Sequence, residues 1–373
     1  MFTVKTLNKI AKIGLERLDP AYFAQDDEAA DPAAILVRSA KMLDYAPNPS
    51  LLCVARAGAG YNNIPVEDYA AKGVVVFNTP GANANAVKEL AICALILASR
   101  DVLGGIDWCR TIADKGDEVA ALVEKGKSAF VGPEIMGKTL GLIGLGNVGA
   151  KVANAAAALG MKVLGYDPYL SDALRQQLAG VAEMTDDLDV LYARSDYISL
   201  HLPYTKDTAN TINKDTIAKM KDGARIINIA RGELVCDEAM EEALASGKLA
   251  RYVTDFPNGK TVKMKGCVAI PHLGASTPES EDNCAVMAAD QVSRYLLQGD
   301  IVNSVNLPNI SMERAGKYRA VVIAKADADL KLPGKAVTEK SRGAFKVILA
   351  DADEPYNAEA LGALPGVIRA RTL

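Results

Sequence analysis

Lys138-Thr-Leu-Gly-Leu-Ile-Gly144-Leu-Gly146-Asn147-Val148-Gly149 is followed by an alanine-rich stretch over 150–159 and then by Met161-Lys-Val-Leu-Gly-Tyr-Asp167. The apolar run at 139–143 suits a strand buried on both faces of a parallel sheet. Gly144 and Gly146 let the backbone turn tightly against a pyrophosphate, Asn147 and Val148 open the next helix, and Gly149 lets that helix pack closely. A second strand over 162–166 delivers Asp167, whose carboxylate accepts hydrogen bonds from both ribose hydroxyls and repels a 2'-phosphate. No Arg or Lys immediately follows it, so NAD is preferred over NADP. Strand, glycine turn, helix, strand and acid stand in the order a dinucleotide site needs, which separates this stretch from an isolated glycine turn in an α/β core.

Composition bounds the rest. The chain has 373 residues, half of them hydrophobic, which is enough for two or three globular domains. A net charge of -4 with both signs interspersed gives no basic footprint for nucleic acid and no polybasic patch for a membrane, so the expected partner is a small molecule. Six cysteines (Cys53, Cys93, Cys109, Cys236, Cys267 and Cys284) are scattered without metal-ligand or disulfide spacing, as in a reducing compartment, and no metal is expected. Lys5, Lys9, Lys12 and Glu16 interrupt the N-terminus, which lacks the apolar core of a signal peptide. The longest apolar run, 90–98, falls short of the roughly 20 residues a membrane span needs. A cytoplasmic location is expected.

Short apolar runs at 35–37, 51–55 and 74–77 alternate with polar helical stretches, and the same rhythm returns at 139–143, 162–166, 197–200, 225–229, 251–255 and 267–270. This is the pattern of parallel sheets with crossover helices. The expected fold class is α/β, with two doubly wound parallel-sheet domains and a small C-terminal α+β domain. Because the glycine motif lies mid-chain, the first domain is expected to span 1–97 plus 278–308, the NAD-binding Rossmann domain 98–277, and the tail 315–373. Bridges are expected over 83–99 and near Thr277, where Pro278 suits a first helical position. Ala285, Ala289, Val292 and Leu296 make an apolar stripe on the helix that follows. In the tail, strands are expected at 318–324, 344–350 and 367–371, with a helix near 357–364.

Hydride transfer from a 2-hydroxy acid needs a cation for the carboxylate and developing oxyanion, and a base for the hydroxyl proton. The chain has two histidines, His201 and His272, and both follow strand-like segments, at the edge where doubly wound sheets bind ligands. His272, just before the second bridge, is the candidate base; a structural role is the bland alternative. His201, in Ser199-Leu-His-Leu-Pro203, is read as shaping the nucleotide pocket, with catalysis as the alternative. Arg231 ends a buried run at 226–229 and makes a natural carboxylate fork. Asp255 closes another strand and is a candidate to hold the nicotinamide carboxamide; an ordinary loop-capping acid is the alternative.

Several stretches together resemble the D-2-hydroxyacid dehydrogenase family. They are Val37-Arg-Ser, Ala55-Arg-Ala-Gly-Ala-Gly60, Asn78-Thr-Pro-Gly-Ala-Asn83, Gly144 to Gly149, Ser199-Leu-His-Leu-Pro, Asn228-Ile-Ala-Arg-Gly232, Pro271-His-Leu-Gly-Ala-Ser-Thr277 and Asn303-Ser-Val-Asn. The resemblance covers about 33–308 and implies a flavodoxin-like substrate domain beside the Rossmann domain. It implies that Arg231 binds the substrate carboxylate and carbonyl, that His272 exchanges the proton, and that backbone groups around Ala57 and Gly58 help hold the carboxylate. Arg38 and Arg56, matching arginines of the family's phosphoglycerate branch, would meet a substrate phosphate. The activity implied is NAD-dependent oxidation of 3-phosphoglycerate, a phosphorylated 2-hydroxy acid; the alternatives are reduction of glyoxylate or hydroxypyruvate, or an NAD(H)-sensing binding protein.

One departure stands out. The family usually carries a Glu five positions beyond the residue matching Asp255, where it orients the histidine. Here the segment reads Asp255-Phe-Pro-Asn-Gly-Lys260. Lys260, with Asn258, becomes a rival proton-transfer group if desolvation lowers its pKa, and Glu279 could supply the missing carboxylate. The stretch 101–137 resembles the family's dimerisation arm, so a homodimer or higher homo-oligomer is expected. The tail resembles an ACT domain, chiefly in Arg342-Gly-Ala-Phe-Lys-Val-Ile-Leu-Ala-Asp351 and 365–373, but with little room for the usual first helix and second strand.

Overall fold

Five short strands, β1 (Phe2–Thr6), β2 (Phe23–Gln25), β3 (Ala34–Val37), β4 (Cys53–Arg56) and β5 (Val75–Phe77), form the first sheet in the order β2-β1-β3-β4-β5. All are parallel. The structure, a computed structural model, describes residues 1–373. β3 and β5 are buried along their whole length, which is why they read as unbroken apolar runs. β1 and β2 lie towards the sheet edge with most residues half-exposed, and no comparable run marks them. The long helix Pro278–Gln298 packs on β3, β4 and the short helix Lys12–Leu15. Its stripe of Ala285, Ala289, Val292 and Leu296 is buried as the spacing requires.

A second sheet contains β6 (Thr139–Ile143), β7 (Lys162–Tyr166), β8 (Ala182–Met184), β9 (Tyr197–Leu200), β10 (Ala224–Asn228), β11 (Leu249–Thr254) and β12 (Cys267–Ala269). Its order is β12-β11-β10-β9-β6-β7-β8, and every pairing is parallel. The direction of winding reverses between β6 and β9, the switch point at whose carboxyl edge doubly wound sheets bind nucleotides.

The chain divides into two compact units, 1–83 with 278–373, and 84–277. The helix Ala84–Ser99, expected as a bridge with the first-domain segment ending at 97, falls within the second unit. It packs on the helix Asn147–Ala158 and on β10 and β11, and Ala91, Ala94, Leu95 and Ala98 share a core with Leu142, Val152 and Ile227. No helix is long and apolar enough to cross a membrane.

The tail forms an antiparallel sheet of β13 (Tyr318–Lys325), β14 (Ala336–Arg342), β15 (Phe345–Ala352) and β16 (Val367–Thr372), in the order β14-β15-β13-β16, with the helix Ala358–Gly362. The second strand, for which the sequence left little room, is present as β14. It is a largely exposed edge strand of sequence Ala-Val-Thr-Glu-Lys-Ser-Arg, so it carries no apolar signal and is held by its hairpin to β15. The expected gap falls on the helix alone, since 326–335 runs as turns and loop. One face of the tail sheet, with Val321, Ile323, Val347 and Leu349, shares a core with Tyr295 and Leu296 of the long helix. The other packs Val322, Ile348 and Ala350 against Leu332 and Leu361.

Candidate active site

In the second unit the glycine loop leaves the carboxyl end of β6. Gly144 adopts φ +92°, and a Cβ there would lie 2.6 Å from the His201 carbonyl oxygen, so both conformation and packing demand glycine. A Cβ on Gly149 would meet the Gly144 carbonyl oxygen at 2.1 Å. Gly146 differs: a Cβ there would enter open space, so nothing within the protein requires glycine, and the cradle it leaves fits an approaching pyrophosphate. Asn147 is exposed and Val148 half-buried at the start of the helix Asn147–Ala158, whose N-terminus has no side-chain cap. Asp167 ties the end of β7 to this loop, its Oδ2 accepting from Leu145 N–H at 2.8 Å and its Oδ1 from Tyr169 N–H at 2.9 Å.

His201 follows β9. Its N–H donates to the Ile143 carbonyl at 2.8 Å, and its Nε2 lies 3.0 Å from Ser199 Oγ. Burial pushes the imidazole down to about 4, so it is neutral near pH 7 and forms part of the loop's wall.

The ends of β10, β11 and the segment after β12 bring Arg231, Asp255 and His272 together. Buried Asn228 shapes the turn after β10: its Nδ2 donates to the Arg231 carbonyl at 2.8 Å, and its Oδ1 accepts from the N–H groups of Ala230 and Arg231 at 3.2 and 3.3 Å. The Arg231 guanidinium donates to the Ala230 carbonyl at 2.6 Å and lies 5.5 Å from the Phe256 ring centroid. The Phe256 and His272 rings are 4.4 Å apart at 44°. Asp255 is fully buried. Its Oδ2 accepts from Gly274 N–H at 3.1 Å, while its buried Oδ1 has no partner within the protein. Burial pushes this carboxyl up, against the pull of the Gly274 N–H and the His272 and Arg231 charges. An orphaned buried acceptor at a strand end fits a ligand amide, and with the open cradle at Gly146 it fits the carboxamide and the pyrophosphate of a nicotinamide dinucleotide.

Lys260 does not meet the condition on which it would act. Its side chain is exposed and paired with Glu238, and that carboxylate holds the ammonium above the ordinary lysine value. Asn258 donates to Asp237 at 2.8 Å. Glu238 lies 22 residues upstream, and neither it nor Phe256 was marked in the sequence.

In the first unit, Arg38 and Arg56 stand at the carboxyl ends of adjacent strands, with Val37 paired to Arg56. Arg56 Nε donates to the Arg38 carbonyl at 3.2 Å, and the guanidinium lies over Gly58, where a Cβ would meet Nη1 at 1.5 Å. Arg38 pairs with Glu281 at 2.7 Å, a partner on the long helix that sequence spacing does not reveal. Ala57 N–H donates to the Val37 carbonyl, extending the β3–β4 ladder by one residue, and Gly58 N–H donates to the Arg56 carbonyl in a tight turn. Glu279 is exposed in the first turn of Pro278–Gln298.

Residues 105–274 match the model of the D-isomer specific 2-hydroxyacid dehydrogenase, NAD binding domain. The D-3-phosphoglycerate dehydrogenase of Mycobacterium leprae is 35% identical over 364 residues, 90% of this chain and 66% of its own length. The hydroxypyruvate reductase of Thermotoga maritima is 38% identical over 256 residues, 66% of this chain and 78% of its own. The structure of NAD+-bound 3-phosphoglycerate dehydrogenase in Entamoeba histolytica superposes with a TM-score of 0.62 at 26% identity, covering 82% of this chain and 98% of that one. This chain spans between 51% and 66% of the length of the D-3-phosphoglycerate dehydrogenases it matches.

Proposed function

This chain belongs to the D-isomer specific 2-hydroxyacid dehydrogenase family, and from that premise we propose that it interconverts 3-phosphoglycerate and 3-phosphohydroxypyruvate with NAD, the entry step to serine. The observation that carries the choice of substrate is the pair of guanidinium groups, Arg38 and Arg56, at neighbouring strand ends. Such a pair matches a phosphoryl group in charge and hydrogen-bonding geometry.

The glycine loop and the helix N-terminus at Asn147 hold the pyrophosphate, Asp167 accepts from the ribose hydroxyls, and Asp255 Oδ1 accepts from the carboxamide. Bound NAD+ supplies the hydride acceptor. Arg231 grips the substrate carboxylate and stabilises negative charge on the reacting oxygen as the C–H bond breaks. His272, as neutral imidazole, takes the hydroxyl proton; in the reverse direction its imidazolium returns that proton to the carbonyl oxygen.

The test follows NADH consumption with 3-phosphohydroxypyruvate, hydroxypyruvate and glyoxylate at equal concentration. A strong preference for the phosphorylated acid is expected. Arg38→Ala and Arg56→Ala should each lower kcat/KM for that acid by roughly 10- to 100-fold, the worth of one charge-assisted contact, and leave glyoxylate reduction nearly unchanged. Equal or reversed preference in the parent protein would move the function to reduction of an unphosphorylated keto acid. That second reading is favoured by the Arg38–Glu281 pair, in which one guanidinium already has an anion.

A second copy of the chain is the proposed partner. The helices Val102–Thr111 and Val119–Gly126 bury none of their residues, and Val102, Leu103, Ile106, Val131 and Met136 are exposed on the same segment. Apolar surface of this kind is normally covered by a partner. Sedimentation should give a dimer or larger assembly, and Ile106→Asp should shift it toward monomer; a monomeric parent protein would refute the assignment.

A further inference from the structure

We propose that Phe256 is the positioning residue for the proton-transferring imidazole, holding the His272 ring by contact with its own; this rests on the roles given above to Arg231 and His272. Lys260, five positions beyond Asp255, brings a cation turned to Glu238. Asp255 has committed Oδ2 to the Gly274 N–H, downstream of His272 in the same loop. That bond fixes the loop backbone and leaves the torsions of the exposed imidazole free.

Phe256 is placed to restrain them. Its N–H donates to Thr254 Oγ1 at 3.1 Å, which fixes the residue at the exit of β11. Its ring is the shared neighbour of the two groups the chemistry needs, 4.4 Å from the imidazole centroid and 5.5 Å from the Arg231 Cζ. The first is a close ring–ring contact and the second lies within cation–π range. An alkyl side chain of similar volume would fill the space but offer no ring face to orient either group.

The experiment uses Phe256→Leu and Phe256→Tyr in the full chain. With two histidines in the sequence, the imidazole Cε1–H region of the proton NMR spectrum holds two signals. His272→Gln assigns them, and His201, pushed down to about 4, does not titrate near neutrality. In the parent protein the His272 signal should be displaced from the free-histidine position by the Phe256 ring current. It should relax to that position in Phe256→Leu and stay displaced in Phe256→Tyr. On the preferred keto acid, Phe256→Leu should lose roughly 10- to 100-fold in kcat, the scale expected of a reacting group displaced by about 1 Å. Phe256→Tyr should recover most of it. An undisplaced His272 signal in the parent, or equal kcat in the parent and Phe256→Leu, would overturn the proposal. So would a well-folded Phe256→Tyr as impaired as Phe256→Leu. A parent protein with a displaced signal but no turnover on any of the three acids would overturn the dehydrogenase reading and leave the ring contact supported.

Discussion

Arg231→Ala should reduce kcat/KM for the preferred keto acid by about 100- to 1000-fold, the loss seen when one preorganised donor to a developing oxyanion is removed. The loss in stability should be small. Within the second unit the guanidinium bonds only its neighbour's carbonyl and faces one ring, whereas Asn228 builds the turn around it through the Arg231 backbone, which alanine retains. A half-buried side chain with no structural ion pair costs little to truncate. Arg231→Lys keeps the charge but loses the fork, and should recover only part of the rate. NADH binding, followed by fluorescence, should survive both changes. Full turnover in Arg231→Ala would remove the central assignment, and a parent protein that binds NADH without turnover would instead support a sensing role.

What the sequence reveals of this site follows its physics. β6 and β10 are buried on both faces, and β11 over its last three residues, so their apolar runs read directly and with them the residues that leave their carboxyl ends. β1, β2, β8 and β14 are edge strands or near an edge with exposed faces, and carry no such signal. Strand order decides proximity. Arg231, Asp255 and His272 meet because β10, β11 and β12 are neighbours in the sheet, and nothing local to Phe256 states that its ring will touch two of them. The role considered for Lys260 depended on desolvation, and its carboxylate partner comes from another element. Arg38 and Glu281 are 243 positions apart in sequence, and only folding pairs them.

The largest stability loss should come from Arg319→Met, in the tail. Arg319 is 2% exposed and pairs across β13 and β15 with fully buried Asp351, Nε to Oδ1 at 2.6 Å and Nη2 to Oδ2 at 2.8 Å. It also lies 3.5 Å from Asp300 and donates to the carbonyls of Gln298, Met312 and Glu313. Methionine fills much of the volume but leaves a buried carboxylate and three carbonyls without their donor. Breaking one side of such a pair costs about 3–5 kcal/mol, or roughly 6–20 °C in Tm for a unit of this size. The pH dependence supplies the sign. Burial alone would push the Asp351 carboxyl up, but Arg319 and the Ala315 N–H together hold it below its ordinary value. The parent's stabilisation from this group is therefore complete above the unfolded carboxyl pKa of about 3.9 and fades as pH falls through the lower folded value. In Arg319→Met burial wins, the folded pKa lies above the unfolded one, and the penalty is greatest at neutral pH and eases as the carboxyl protonates. The Tm gap between parent and variant should thus be widest near pH 7 and narrow toward pH 4. A gap that stayed constant would mean the loss lies in packing, and Arg319→Met with Asp351→Leu, which removes the orphaned charge, should then recover nothing.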